Sequence, residues 1–221
     1  RALGLRLVKQ TVNQDDVSAY HLFYGDAVGH AGTELTFFTW DRMPLNAPGS
    51  DAISRTALQV ASREAVDWWA KRLTELGVSH GDVQTEGGRA TLTFWDPEGQ
   101  HLAVVDGGLS ARGEPWERSP VPVEHAIRGL GPVSLTVPSL ARMEPLLATL
   151  GFRPARQEPG GHPVTVFEVG AGGAGAELRV EERRDLPRAV LGRGGVHHVA
   201  FRTPTDVDQE AWRLALSSAG V

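Results

Sequence analysis

The sequence predicts an α+β fold made of tandem copies of one βαβββ unit, and three observations carry that prediction. Apolar-Gly-apolar turns recur in "RALGLRLV" at 1–8, "TELGVSHG" at 74–81 and "ATLGFRPA" at 148–155, and "SSAGV" at 217–221 begins a fourth. Each turn closes a stretch with helical spacing. After the second and third turns come β-rich runs with hairpin signals, "ATLTFWDPEGQHLAVVDG" and "VTVFEVGAGGAGAELRVEE". The unit is strand, helix, then three strands, with a period of roughly 55 residues.

Unit one begins at the last turn of its helix. Strands follow in "LRLVKQTV" and "YHLFYGD", with Asn13, Asp15 and Asp16 as turn formers between them, and then in "ELTFF". On the second of these strands Tyr20, Leu22 and Tyr24 alternate with His21 and Phe23. One of Tyr20 or His21 faces the inside of the unit, and the text does not say which. Unit two (about 53–107) opens with "TALQVAS". Its helix follows Ser62 as N-cap, shows Ala65, Val66, Trp69, Leu73 and Leu76 at three- and four-residue spacing, and ends at Gly77 as C′.

Unit three (about 127–182) opens with "GPVSLTV". Pro145 should kink or delay its helix, Ser139 to Gly151. Unit four opens with "HHVAFRT", and its helix runs from Asp206 to Gly220 with Gln209 in capping-box register. Arg183, Arg184, Arg188 and Arg193, among Glu181, Glu182 and Asp185, read as a solvated loop before it. Modules one and four are therefore incomplete in this chain, and the natural protein is expected to be longer at both ends. The expected division is 1–107 and 127–221, each a pair of units. Trp68, Trp69 and Trp212 fall on helices and read as packing or interface residues.

Composition narrows the function. With 41% hydrophobic and 22% charged residues the chain is an ordinary globular one, and its net charge of −5 offers no basic run for nucleic acid. No segment reaches the ~18 apolar residues that span a bilayer, and no signal peptide is visible. Cysteine is absent, which removes thiolate nucleophiles, disulfides and Cys-ligated metal together and fits a cytoplasmic location. Any metal must be held by His and carboxylate.

Two of the eight histidines stand side by side in "GGVHHVAF" at 194–201. Neighbours on a strand point to opposite faces. Aligned by apolar positions, His197, Val199 and Phe201 match Gly131, Val133 and Leu135, and Thr56, Leu58 and Val60, the face that should pack under the helix. His198, Ala200 and Arg202 match Pro132, Ser134 and Thr136, and Ala57, Gln59 and Ala61, a small or polar face suited to the inside of a cup. His198 is the better candidate ligand. His101 reads as a solvated strand residue, and Glu34 is a weak candidate carboxylate.

Tandem βαβββ units, with "LGLRLVKQTVNQDDVSAYHLFYGD" at 3–26, "GTELTFFTW" and "GGVHHVAFRTP", resemble the vicinal oxygen chelate superfamily (glyoxalase/extradiol dioxygenase-like). Within it the text is most similar to the ring-cleaving hydroquinone-type dioxygenase branch. The resemblance implies an Fe(II) site, or Mn(II), built from two His and one carboxylate, acting on a small aromatic diol and O₂. It implies His198 as a metal ligand from unit four, with the other His and the Glu in segments absent from this chain. His197 is implied in proton transfer, behind the metal ligands. Pro132 in unit three and Ala103 after the Asp-Pro-Glu-Gly turn depart from ligand positions, so units two and three read as a non-metal half, with units one and four paired around the metal. No membrane or nucleic-acid partner is expected, and a homo-oligomer is left open. The alternatives are a glyoxalase-like isomerase or thiol transferase and a metal-free binding protein of the same fold.

Overall fold

Units two and three fold as copies of one another in the computed structural model, which describes residues 2–40, 42–108 and 112–220. Arg1 and Val221, which the first and fourth turn signals include, lie outside the described residues. Unit two runs β4 (Ala52–Val60), α1 (Arg63–Glu75), β5 (Gln84–Glu86), β6 (Arg89–Trp95) and β7 (His101–Asp106). Unit three runs β8 (Gly129–Val137), α2 (Leu140–Thr149), β9 (Arg153–Glu158), β10 (Val164–Glu168) and β11 (Glu177–Glu182).

Together they make one eight-stranded sheet, ordered β5-β6-β7-β4-β8-β11-β10-β9. β4 and β8 lie antiparallel at its centre, and each is parallel to the last strand of its own unit. Outwards from the centre, either half reads first, fourth, third, second strand. Unit one supplies a separate three-stranded sheet of β1 (Arg6–Val12), β2 (Tyr20–Gly25) and β3 (Leu35–Phe38). Unit four supplies an irregular segment and α3 (Asp206–Ser218), which packs against α2. No helix among the described residues is long and apolar enough to cross a membrane.

The two-residue period of the opening strands decides what each face touches. Leu58 and Val60 pack with Val66, Trp69 and Leu73 of α1, all within 1% of complete burial. Each such side chain contributes about 1.5–3 kcal/mol of burial. Val133 and Val137 pack with Leu147 of α2 and with Phe167, Leu178 and Val180. The alternate residues Ala57 and Pro132 line the opposite, concave face.

Local signals act largely as expected. Ser62 Oγ accepts from the Ala65 N–H, and Gly77 takes φ +67° at C′. Trp69 is buried with its Nε1–H donated to the His125 carbonyl, and the Trp68 ring stacks on His125. Two helix ends differ. Pro145 neither ends nor delays α2, whose first N–H, on Leu140, is capped by the Glu182 carboxylate at 2.8 Å. The N-cap of α3 is Thr205 rather than Asp206, and its partner three residues on is Asp208, not Gln209. Thr205 Oγ1 donates to the Asp208 carboxylate and accepts from its N–H.

The expected opening strand of unit four does not form. Only Val196 pairs, in a single bridge to Ile53, and residues 197–203 belong to no strand. β4 and β8 are each flanked by the last strand of their own unit, and no such strand follows α3 among the described residues.

A backbone clasp joins the approach to unit two with the approach to unit four. The Ala47 and Val190 N–H groups each donate to the other's carbonyl. Ser50 N–H donates to the Pro187 carbonyl, Asn46 N–H to Arg193, and Arg193 N–H to Pro44. Gly49 and Gly192 allow this approach, because a Cβ at either would lie under 3 Å from backbone atoms of the other segment. The clasp carries the end of β3 and the two histidines into one neighbourhood. The arginines before unit four are mostly exposed and ion-paired: Arg183 with Asp185, Arg184 with Glu182, Arg193 with Glu98.

Candidate active site

The concave face of unit one carries alternating residues from three strands. On β2, His21 and Phe23 point to this face, and His21 stands opposite Phe38 of β3 and Thr11 of β1. The His21 ring lies 4.0 Å from Phe23 and 4.2 Å from Phe38, centroid to centroid. Tyr20 lies on the other face and is 52% exposed. That settles which of the two faces inwards. Trp40, just past β3, stacks on Phe38 at 4.7 Å. Its indole N–H donates to Asp16 at 3.1 Å, so the turn between β1 and β2 fixes the ring. Asn13 and Asp16 also hold that turn themselves, by accepting from the N–H groups of Asp15 and Ser18.

His197 and His198 meet this aromatic face. Phe38 lies 5.8 Å from the His197 ring and 6.3 Å from the His198 ring, and Trp40 lies 5.9 Å from His197. The two imidazoles stand edge to face with their Nδ1 atoms 3.0 Å apart. One of those nitrogens therefore donates and the other accepts.

Both rings are exposed. This corrects the expectation that His197 is buried under a helix: strand parity holds only where a strand is paired, and residues 197–203 are not. Parity survives one step further on, since Val199, like Trp212 and Leu216 of α3, packs against the buried core of unit three, and Phe201 meets Phe152.

The imidazole of His21 is held below its ordinary pKa, first by burial and then by His198 and Lys9. Its Nε2 is buried with no hydrogen-bond partner. Glu34 does not join the histidines; it lies beside Gly25 and Gly29. His101 is not solvated as expected. It stacks on its cross-strand neighbour Trp95 at 5.0 Å, and burial lowers its pKa.

Sequence reasoning missed Glu177. It opens β11 one residue before Leu178, which pairs with Val133, so it stands beside Pro132, the position that matches His198. A last-strand carboxylate here would be a ligand in a metal-binding unit. Instead the side chain is fully buried and held by Arg89 at 2.8 Å and Arg156 at 3.0 Å. Burial opposes its charge, but these guanidiniums outweigh burial and keep its pKa below the usual range. Arg55, Glu86, Arg179 and Glu158 extend the ion pairs across the concave face.

No protein-family model matches the chain. MhqA of Bacillus subtilis, named a ring-cleaving dioxygenase, is 42% identical over 224 residues, covering all of this chain and 71% of that protein. The chlorohydroquinone/hydroquinone 1,2-dioxygenase of Sphingobium indicum is 27% identical over 96% of this chain and 66% of its own length. A crystal structure named as a dioxygenase from B. subtilis superposes with a TM-score of 0.88 at 31% identity, over 99% of this chain and 68% of that one. Glyoxalase I from Zea mays shares the fold at a TM-score of 0.63 and 14% identity, over 99% and 73% of the two chains. The chain belongs to the ring-cleaving dioxygenases of the vicinal oxygen chelate superfamily, as the repeated units and the level of identity together require.

Proposed function

We propose that His198 is a ligand of Fe(II), and that the enzyme opens the ring of a hydroquinone- or catechol-like diol with O₂. The observation that carries this reading is the Nδ1–Nδ1 contact beside Phe38 and Trp40. A metal-ligating imidazole characteristically donates its second ring N–H to a neighbour. The contact fits His198 donating Nδ1–H to His197, which leaves the His198 Nε2 lone pair for the cation. In that tautomer His197 carries its proton on Nε2. It can then donate a hydrogen bond from Nε2 to a substrate oxygen, and it takes up a ring-hydroxyl proton as a general base only once its Nδ1 lone pair is released from His198.

The imidazole chemistry fits Fe(II), and Mn(II) would use the same donors. Among the described residues no group of three His, Asp or Glu side chains could hold a metal ion, so the reading takes His198 as one ligand of a larger set. Fe(II) bound there would act as a Lewis acid on a substrate hydroxyl and leave open positions for O₂. Phe38 and Trp40 present an apolar wall to an aromatic ring. The substrate named for the Sphingobium relative, a hydroquinone, supports the choice of diol. The lack of cysteine supports a cytoplasmic enzyme.

Oxygen uptake by the Fe(II)-reconstituted intact protein tests the reading. Uptake equimolar with hydroquinone, with loss of the aromatic absorbance, is expected. Turnover of a glutathione hemithioacetal without oxygen uptake would favour the glyoxalase-like isomerase, and a protein that binds diols but retains no metal would favour simple sequestration.

A further inference from the structure

His197 stands in a segment without strand pairing, and its ring is exposed. Three side chains flank that ring: His198 at Nδ1, Phe38 at 5.8 Å and Trp40 at 5.9 Å. Phe38 is held by β3, where it pairs with His21 of β2. Trp40 lies two residues past that last pair and needs a tether of its own.

Asp16 supplies the tether. The half-buried indole of Trp40 donates its N–H to Asp16 Oδ2 at 3.1 Å. The other oxygen, Oδ1, accepts from the N–H of Ser18 at 3.0 Å and from its hydroxyl at 2.6 Å, which sets the direction of the carboxylate. Backbone bonds from Asn13 N–H to the Ala19 carbonyl and from Ala19 N–H to the Asp16 carbonyl close the turn on two buried residues, Asn13 and Ala19. An aspartate that only makes a turn uses one oxygen for a nearby N–H, as Oδ1 does here. Oδ2 takes no part in the turn and serves Trp40.

We infer that Asp16 is a positioning residue for His197, acting through the indole of Trp40. The inference rests on the hydrogen-bonding and proton-handling role read for His197 above. With His197 Nδ1 engaged by His198, the wall of Phe38 and tethered Trp40 fixes the remaining freedom of the ring, the direction in which Nε2 meets a substrate oxygen. Misalignment of such a group is felt in the chemical step more than in binding.

The test is a double-mutant cycle on the Fe(II)-loaded intact protein, read as oxygen uptake with hydroquinone. Asp16→Ala should lower kcat about tenfold, with KM and iron content unchanged. Asp16→Asn, whose side-chain carbonyl still accepts, should recover most of the rate. Trp40→Phe keeps a ring and loses the N–H, so it should lower kcat to a similar extent, and adding Asp16→Ala to it should cost nothing more. Independent losses in the double variant, no recovery with Asn, or a rise in KM at unchanged kcat in Asp16→Ala would overturn the inference.

A second readout is independent of turnover. In the intact protein with a diamagnetic divalent metal in place of iron, the ring-proton resonances of His197 should move in Asp16→Ala as the neighbouring indole shifts, while those of His30 stay fixed. Unmoved His197 resonances would overturn this inference alone, whereas failure of the wild type to consume oxygen would overturn the ring-cleaving reading.

Discussion

Replacing Glu177 by Ala removes a fully buried carboxylate from the ion-pair system of units two and three. Its side chain is 0% exposed and binds Arg89 and Arg156. Breaking a buried ion pair by deleting one partner typically costs about 3–5 kcal/mol, because the surviving charge stays desolvated. Here the survivors are 26% and 29% exposed, and Arg156 keeps Glu158 and Glu168 as partners. Both facts pull the cost to the lower end, about 3 kcal/mol. For a chain of this size that is a fall in Tm of roughly 6–12 °C. Glu177→Gln keeps the shape and one acceptor and should lie between Ala and wild type. Urea unfolding monitored by tryptophan fluorescence, with an unchanged m-value, measures the loss. A loss below about 1 kcal/mol for both variants would refute the claim that guanidinium groups have replaced a cation on this face.

Gly192→Ala should cost about 1–3 kcal/mol through overpacking of the clasp, and should also slow turnover by shifting His198 away from Phe38. Gly161→Ala, where a Cβ meets open space, should be neutral in both assays. The Asp26 carboxylate is buried, which opposes its charge. The His30 imidazole and the N–H groups of Glu114, His30 and Val28 outweigh burial and hold its pKa far below 3.8, while Asp26 raises that of His30 above 6.5. The Asp26 contribution is therefore present above pH 3.8 and lost as pH falls through its folded pKa. The His30 contribution is complete below pH 6.5 and lost as pH rises through its folded pKa. Urea midpoints at pH 5.5 and 8.5 should converge in His30→Ala relative to wild type; an unchanged difference would contradict this. His197→Ala should retain metal but lower kcat by about 10²-fold. Loss of metal in that variant would exchange the roles of the two histidines.

The repeat made much of the fold legible, because each unit must bury one face of its opening strand under its own helix. Leu58 and Val60 under α1, and Val133 under α2, follow directly from alternation. The same rule misplaced His197, since parity needs a paired strand and only Val196 finds a partner. The clasp was not legible. It is made of backbone hydrogen bonds, which carry no side-chain signature, and its one trace is the pair of glycines at 49 and 192. Glu177 could have been found by placing β11 against β8 as β7 lies against β4. The glycine cluster at 170–175 hides that register, because it gives no Asp-Pro-Glu-Gly turn from which to count. Trp40 had no reading of its own, because the bond that fixes it ties it to a turn 24 residues earlier.

The central claim is that His198 is a metal ligand of a ring-cleaving site, and iron content measured beside oxygen uptake tests it most directly. After anaerobic Fe(II) reconstitution and desalting, the wild-type intact protein should hold about one iron per chain and consume O₂ with hydroquinone. His198→Ala should lose both the iron and the uptake, while its far-ultraviolet circular dichroism stays unchanged. A His198→Ala protein that kept its iron and its full rate of oxygen consumption would contradict the account.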